Sequence, residues 1–171
     1  MREYVTWAVV LNKEPLRDFD TRYSFLTRQF GKVVGKATSA RKITSKLAGH
    51  LEPGSLAQVR FIDRNHGSGT QIADALKAGR VDISLNDLRA LSGILAEGDA
   101  DNALWAACTQ GKFSWRSALR IMGWDPEGAE CERCGKPAAA FYVPRQDFFC
   151  ASCASKTRPD ALILLGNGDE L

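Results

Sequence analysis

Four cysteines follow the pattern C-x2-C-x15-C-x2-C: Cys131, Cys134, Cys150 and Cys153. Two thiolate pairs, each held in a tight turn, can meet one tetrahedral zinc at ~2.3 Å Zn–S. The residues between the pairs, 135–149, suit a short hairpin that returns the second pair to the first. Gly135 directly follows Cys134, and a glycine there lets the backbone curl so that amides point at sulfur. With every position filled by sulfur, no site is left for water. The pattern therefore predicts one structural Zn2+ per chain rather than a catalytic one. Two disulfides in a secreted domain are the competing reading. Against it, the start of the chain lacks an apolar signal core, and a fifth cysteine, Cys108, sits apart on an apolar helix face, where it reads as core.

No catalytic constellation accompanies the cysteines. The sequence has no G-x-S-x-G, no H-E-x-x-H and no Walker loop, and its two histidines, His50 and His66, lie in loops without metal-ligand neighbours. No enzyme activity and no small-molecule substrate are expected. The charge pattern points to a polyanion instead. Net charge is +3, yet residues 1–60 carry eleven Lys/Arg against five Asp/Glu, so the remainder is net negative. Residues 31–46 contain Lys32, Lys36, Arg41, Lys42 and Lys46 and no acid. With Arg28 on the preceding segment they would form one basic rim able to follow a phosphate backbone without reading bases. Phe30 is a candidate to stack on unpaired bases. Tyr23 and Phe25, alternating on one strand face, can either stack or fill a core.

These side chains need a scaffold, and the pattern of the first eighty residues is that of strands. Tyr4–Leu11 is rich in apolar and β-branched residues, with Val5, Trp7, Val9 and Leu11 on one face. Thr21–Thr27, Val33–Thr38, Leu56–Ile62 and Thr70–Ala75 follow, separated by turn signals such as Pro53-Gly54 and the glycines around His66. Ala57, Val59 and Phe61 share a face. Five short strands with a basic loop between the third and fourth suit a small closed barrel, of which the OB-fold is the commonest form.

The period changes after residue 80. Ser84 and Asp87 form a capping box before Leu85, Leu88, Leu91 and Leu95, with Gly98 beyond the end. Asp101–Thr109 reads as a second helix, with Leu104, Ala107 and Cys108 inward. Ser114–Met122 reads as a third, ending at Gly123. The tail over Ala161–Leu165 packs on the helices or adds an edge strand. The fold class is α+β, divided into an OB-fold nucleic-acid-binding domain (1–80), a helical domain (81–127), a four-cysteine zinc ribbon or knuckle (128–156) and a C-terminal tail (157–171). At 44% apolar residues the composition is globular, and no run approaches the ~20 apolar residues of a membrane span, so no membrane association is expected.

Three stretches, read in order, resemble the RecO family of bacterial recombination mediators. Leu26-Thr27-Arg28-Gln29-Phe30-Gly31-Lys32 is similar to that family's strand-turn segment. Lys36-Ala37 through Ser45-Lys46-Leu47-Ala48-Gly49, then Leu51-Glu52-Pro53, resembles its basic loop and connector. Leu119-Arg120-Ile121-Met122-Gly123-Trp124-Asp125-Pro126, leading into Cys131, Cys134 and Gly135, resembles its junction between helix and zinc module. The resemblance implies an OB-fold that binds single- and double-stranded DNA, a helical domain and a zinc module. It implies strand annealing and loading of recombinase onto DNA coated by single-strand-binding protein during recombination and repair, with RecR as partner. Contact with the tail of single-strand-binding protein is the least direct transfer, because the helical region that makes it is shorter here. The location implied is the cytoplasm, at the nucleoid. The alternative is an OB-fold plus zinc ribbon serving RNA or a transcription or translation complex.

Overall fold

The computed structural model describes residues 2–16, 19–40, 47–63 and 69–166. The chain falls into two compact units, Met1–Thr109 and Gln110–Leu171.

The first unit is a barrel with two helices. Its strands are β1 (Arg2–Pro15), β2 (Thr21–Thr27), β3 (Gly31–Ala37), β4 (Ser55–Asp63) and β5 (Thr70–Arg80). They close in the order β1-β2-β3-β5-β4, with β4 pairing back on β1 from Arg2↔Asp63 to Val9↔Leu56. This is the expected OB-fold barrel. Every neighbouring pair is antiparallel except β3 with β5, which meet in parallel only at Gly35↔Thr70 and Lys36↔Gln71. The period of two is clean in β2, β3 and β4, where Tyr23, Phe25, Val33, Ala57, Val59 and Phe61 all point inward and are buried. Phe61 stacks on Tyr4 and meets Phe25 edge-on, each at 5.3 Å between ring centres. Each such ring contributes about 1.5–3 kcal/mol by burial.

β1 behaves differently. Its core-facing residues are Thr6, Ala8 and Val10, so the stripe of Val5, Trp7 and Val9 lies on the outside of the barrel. Val9, Leu11 and Leu26 are nonetheless buried, because helix α1 (Leu85–Ile94) lies against β1 and β2. Val5 and Trp7, further toward the start of β1, remain exposed. A bulge between Val10 and Asn12 shifts the register against β2.

The capping box forms as expected: the Asp87 N–H donates to Ser84 Oγ (3.2 Å), and the Ser84 hydroxyl donates to the Asp87 carboxylate (2.6 Å). α1 buries Leu88 and Leu91, while Leu85 is exposed. Helix α2 (Asn102–Thr109) buries Leu104, Trp105 and Cys108, with Asp101 accepting from the Leu104 N–H. Burial pushes the Cys108 thiol up to about 12, which suits a core side chain.

The second unit starts with α3 (Trp115–Ile121) and continues as a sheet of three short strands in the order β7-β6-β8: β6 (Ala140–Tyr142), β7 (Asp147–Phe149) and β8 (Leu162–Leu164). The tail therefore adds an edge strand, the second of the two placements expected. Arg116 ties it down, donating to the carbonyls of Leu165 and Gly166 at 3.1 Å each. Helix α4 (Ala151–Ala154) follows β7 directly. The three predicted helices thus divide between the units, α1 and α2 with the barrel and α3 with the cysteine sheet, rather than forming a domain of their own over 81–127.

Candidate metal centre and nucleic-acid interface

The cysteine module is built from a turn and a hairpin. The Cys131 N–H donates to the Lys136 carbonyl (2.7 Å), and the Cys131 carbonyl accepts from Cys134 (3.2 Å) and Gly135 (2.8 Å). Gly135 sits at φ +69°, the left-handed conformation that a glycine adopts without strain. The β6–β7 hairpin brings Cys150 back, and the Glu132 N–H donates to the Phe148 carbonyl to close the fold. Cys150 caps α4, and the same short helix carries Cys153.

The four sulfurs lie within 4.8 Å of one another. Cys134 Sγ is 3.5 Å from Cys150 Sγ and 3.8 Å from Cys153 Sγ. A tetrahedron of sulfurs around zinc at ~2.3 Å has edges of ~3.8 Å, whereas a disulfide needs ~2.05 Å. The four cysteines lie close enough to hold a metal ion. Burial opposes ionisation of Cys131, but the N–H groups of Cys150, Arg133 and Cys134 outweigh it and take the thiol down to about 6. The Cys153 N–H likewise lowers Cys150. Burial and the neighbouring thiols push Cys153 up to about 12. Crowded thiolates repel, so the full set ionises most readily around a cation. Cys131 and Cys150 are buried and Cys134 is exposed, while Arg133 covers the Phe149 ring at 4.7 Å.

On the barrel, the outward side chains of β2 and β3 form the floor of a groove of about 780 Å³. Arg22 and Lys36 are register partners there, Lys32 lies further along β3, and Arg89 comes from α1. Glu14 and Glu97 also border it. Lys36 pairs with Asp20 at 2.6 Å and keeps half its side chain exposed. Lys32 has a structural engagement: its ammonium donates to the carbonyls of Ser92 (2.6 Å) and Leu95 (2.9 Å) at the C-terminal end of α1. A cation there complements the helix dipole.

The other residues expected on the basic rim are dispersed. Arg28 lies in the turn after β2, its backbone N–H donating to the Trp7 carbonyl (2.9 Å), and it lines a separate groove over β1 and β4. Phe30 packs on Tyr4 at 4.5 Å between ring centres, at the end of the barrel core. Tyr23 and Phe25 are buried, so of their two expected roles the core one holds. Arg41, Lys42 and Lys46 lie outside the described residues, as does His66. His50 accepts a hydrogen bond from the Lys77 N–H through Nδ1.

Sequence reasoning missed Arg22, Arg89 and Trp7. Arg22 was within reach, since the alternation that puts Tyr23 and Phe25 inward puts it outward. Arg89 was not, because nothing in the sequence says which strands α1 covers.

Residues 1–76 match the family described as Recombination protein O N terminal. The match runs from the start of β1 into β5. It agrees with the barrel topology and with the resemblance in the strand-turn and basic-loop segments. The family is a recombination mediator rather than a known enzyme, and it implies DNA binding. The match covers 76 of the 171 residues: the N-terminal barrel is similar to the RecO N-terminal domain, which supports a role in DNA recombination and repair.

Proposed function

We propose that this protein binds single- and double-stranded DNA along the β2–β3 groove, anneals complementary strands and helps load recombinase onto strands coated by single-strand-binding protein. The observation that carries the reading is the pairing of Arg22 with Lys36 across adjacent strands, opening on a groove to which α1 adds Arg89. Cations held on rigid strands contact phosphates at low entropic cost, and they do so without base specificity. Arg41, Lys42 and Lys46, which follow β3 in the sequence, add phosphate contacts in the proposal, and Arg28 contributes from the separate groove over β1 and β4. RecR is the partner in loading, and the tail of single-strand-binding protein is a further one. The work is done in the cytoplasm, without nucleotide turnover.

The metal in this reading is zinc, held by Cys131, Cys134, Cys150 and Cys153. When bound, it supplies the folding free energy that a module of this size lacks in its own core. The sulfur spacing and the amides directed at Cys131 and Cys150 support that choice.

An annealing assay on complementary strands precoated with single-strand-binding protein tests the function. Acceleration of duplex formation without added nucleotide is expected, with preference for DNA over RNA of the same sequence. Preference for RNA, or no acceleration at protein concentrations that saturate DNA, would overturn it.

A further inference from the structure

Trp7 is out of keeping with the other tryptophans. Trp105 and Trp115 are 8% and 9% exposed, and Trp124 packs on Phe141 at 5.3 Å between ring centres. Trp7 is 38% exposed on the outer face of β1, beside Val5 at 48%. A large ring left in water forgoes the stabilisation that burial would bring.

Its surroundings are selective. Trp7 is the register partner of Gln58 on β4, and the backbone hydrogen bond from Arg28 fixes the following turn beside it. Val5, Thr6, Trp7, Arg28, Gln29 and Gln58 line a groove of about 440 Å³, and none of them is acidic. Among the described residues no carboxylate pairs with Arg28, whereas the next cation along, Arg60, is held by Glu3 at 3.1 Å. The site therefore offers a flat aromatic face, two carboxamides that donate and accept, and one uncompensated guanidinium. That set matches an unpaired base with its phosphate. A purely apolar partner would leave Arg28 and the two amides unsatisfied.

We propose that this face of β1 and β4 is a second nucleic-acid site, in which an unpaired base stacks on Trp7 while Arg28 holds the adjoining phosphate. It is distinct from the β2–β3 groove, where the contacts proposed above are to phosphate alone. The proposal rests on DNA being the ligand of the barrel. Two sites on different faces let one barrel hold two strands at once, and duplex DNA, with its bases stacked inside, cannot use the second.

The test is fluorescence anisotropy of the full chain with labelled oligothymidylate and with a blunt duplex. Trp7→Ala is expected to weaken oligothymidylate binding about five-fold or more and to leave duplex binding unchanged. Trp7→Phe, which keeps a stacking ring, is expected to retain most of the affinity. Saturating oligothymidylate should quench tryptophan emission in the wild-type protein and not in Trp7→Phe, a readout that survives if Trp7→Ala does not fold. Equal loss on both DNAs, unchanged affinity in Trp7→Ala, or equal quenching in Trp7→Phe would overturn the second site while leaving the groove intact. A change in oligomeric state with DNA binding unaltered would overturn it in favour of a protein contact. Wild-type protein that binds neither DNA would reject the groove and the second site together.

Discussion

Lys32 and Gly98 exchange both backbone hydrogen bonds, Lys32 N–H to Gly98 O at 3.1 Å and Gly98 N–H to Lys32 O at 3.0 Å. β3 pairs with β5 over only two residues, and this bridge occupies the edge of β3 beyond that short pairing. The approach is close enough to dictate the residue before Lys32. A Cβ on Gly31, which sits at φ +64°, would lie 1.8 Å from the Gly98 carbonyl oxygen.

Gly31→Ala is therefore expected to destabilise the barrel by about 2 kcal/mol or more, from backbone strain and from displacement of the residue 98 segment. Urea unfolding followed by circular dichroism measures it. An unchanged midpoint with an unchanged slope would show that the segment gives way freely.

The two lysines of β3 separate by the same measurement. Lys32→Ala removes both hydrogen bonds to the carbonyls of Ser92 and Leu95 at the end of α1, for an expected loss of about 1–2 kcal/mol. Lys36→Ala removes a half-exposed lysine paired with Asp20, whose carboxylate still accepts from the Ser39 N–H, and its expected effect is smaller, under about 1 kcal/mol. Equal effects would contradict the division of roles.

The cysteine module should lose its metal in acid. The Cys131 thiol lies at about 6 in the folded chain against an ordinary 9.0, so the folded state binds protons less readily than the unfolded one. The resulting stabilisation is complete above the unfolded value and is lost as pH falls through about 6. Protons then compete for sulfur, and a zinc held as proposed should leave. A chromogenic chelator should report about one zinc per chain, released as pH is lowered through this range. Cys134→Ser should abolish the metal and unfold the second unit's sheet while DNA binding by the barrel persists. Retention of a full equivalent of zinc in that variant would remove Cys134 from the ligand set.

Local rules carried much of this into the sequence. The alternation around Ala57, Val59 and Phe61, the Ser84–Asp87 capping box and the cysteine spacing each depend on neighbours a few residues apart, and each is found as expected. Trp7 and Lys32 defeat sequence reasoning for the opposite reason. The outside of β1 is covered by α1 at Val9 but not at Trp7, and the Lys32 ammonium meets carbonyls some sixty residues away. Neither fact has a signature in the strand that carries the residue. The division between units has the same origin: α1 and α3 have similar apolar patterns, and only their partners assign them to different units.

The central claim, that DNA runs along the β2–β3 groove, is tested most directly by the salt dependence of oligothymidylate binding. Removing one cation that neutralises a phosphate lowers the magnitude of the slope of log K against log salt by ~0.7 on single strands. The triple variant Arg22→Ala, Lys36→Ala, Arg89→Ala removes three exposed groove cations, and the fold should survive the loss of the Lys36–Asp20 pair. The predicted result is a slope flatter by about two units and affinity weakened alike for every sequence tested. A folded triple variant with the wild-type slope and affinity at low salt would contradict the account.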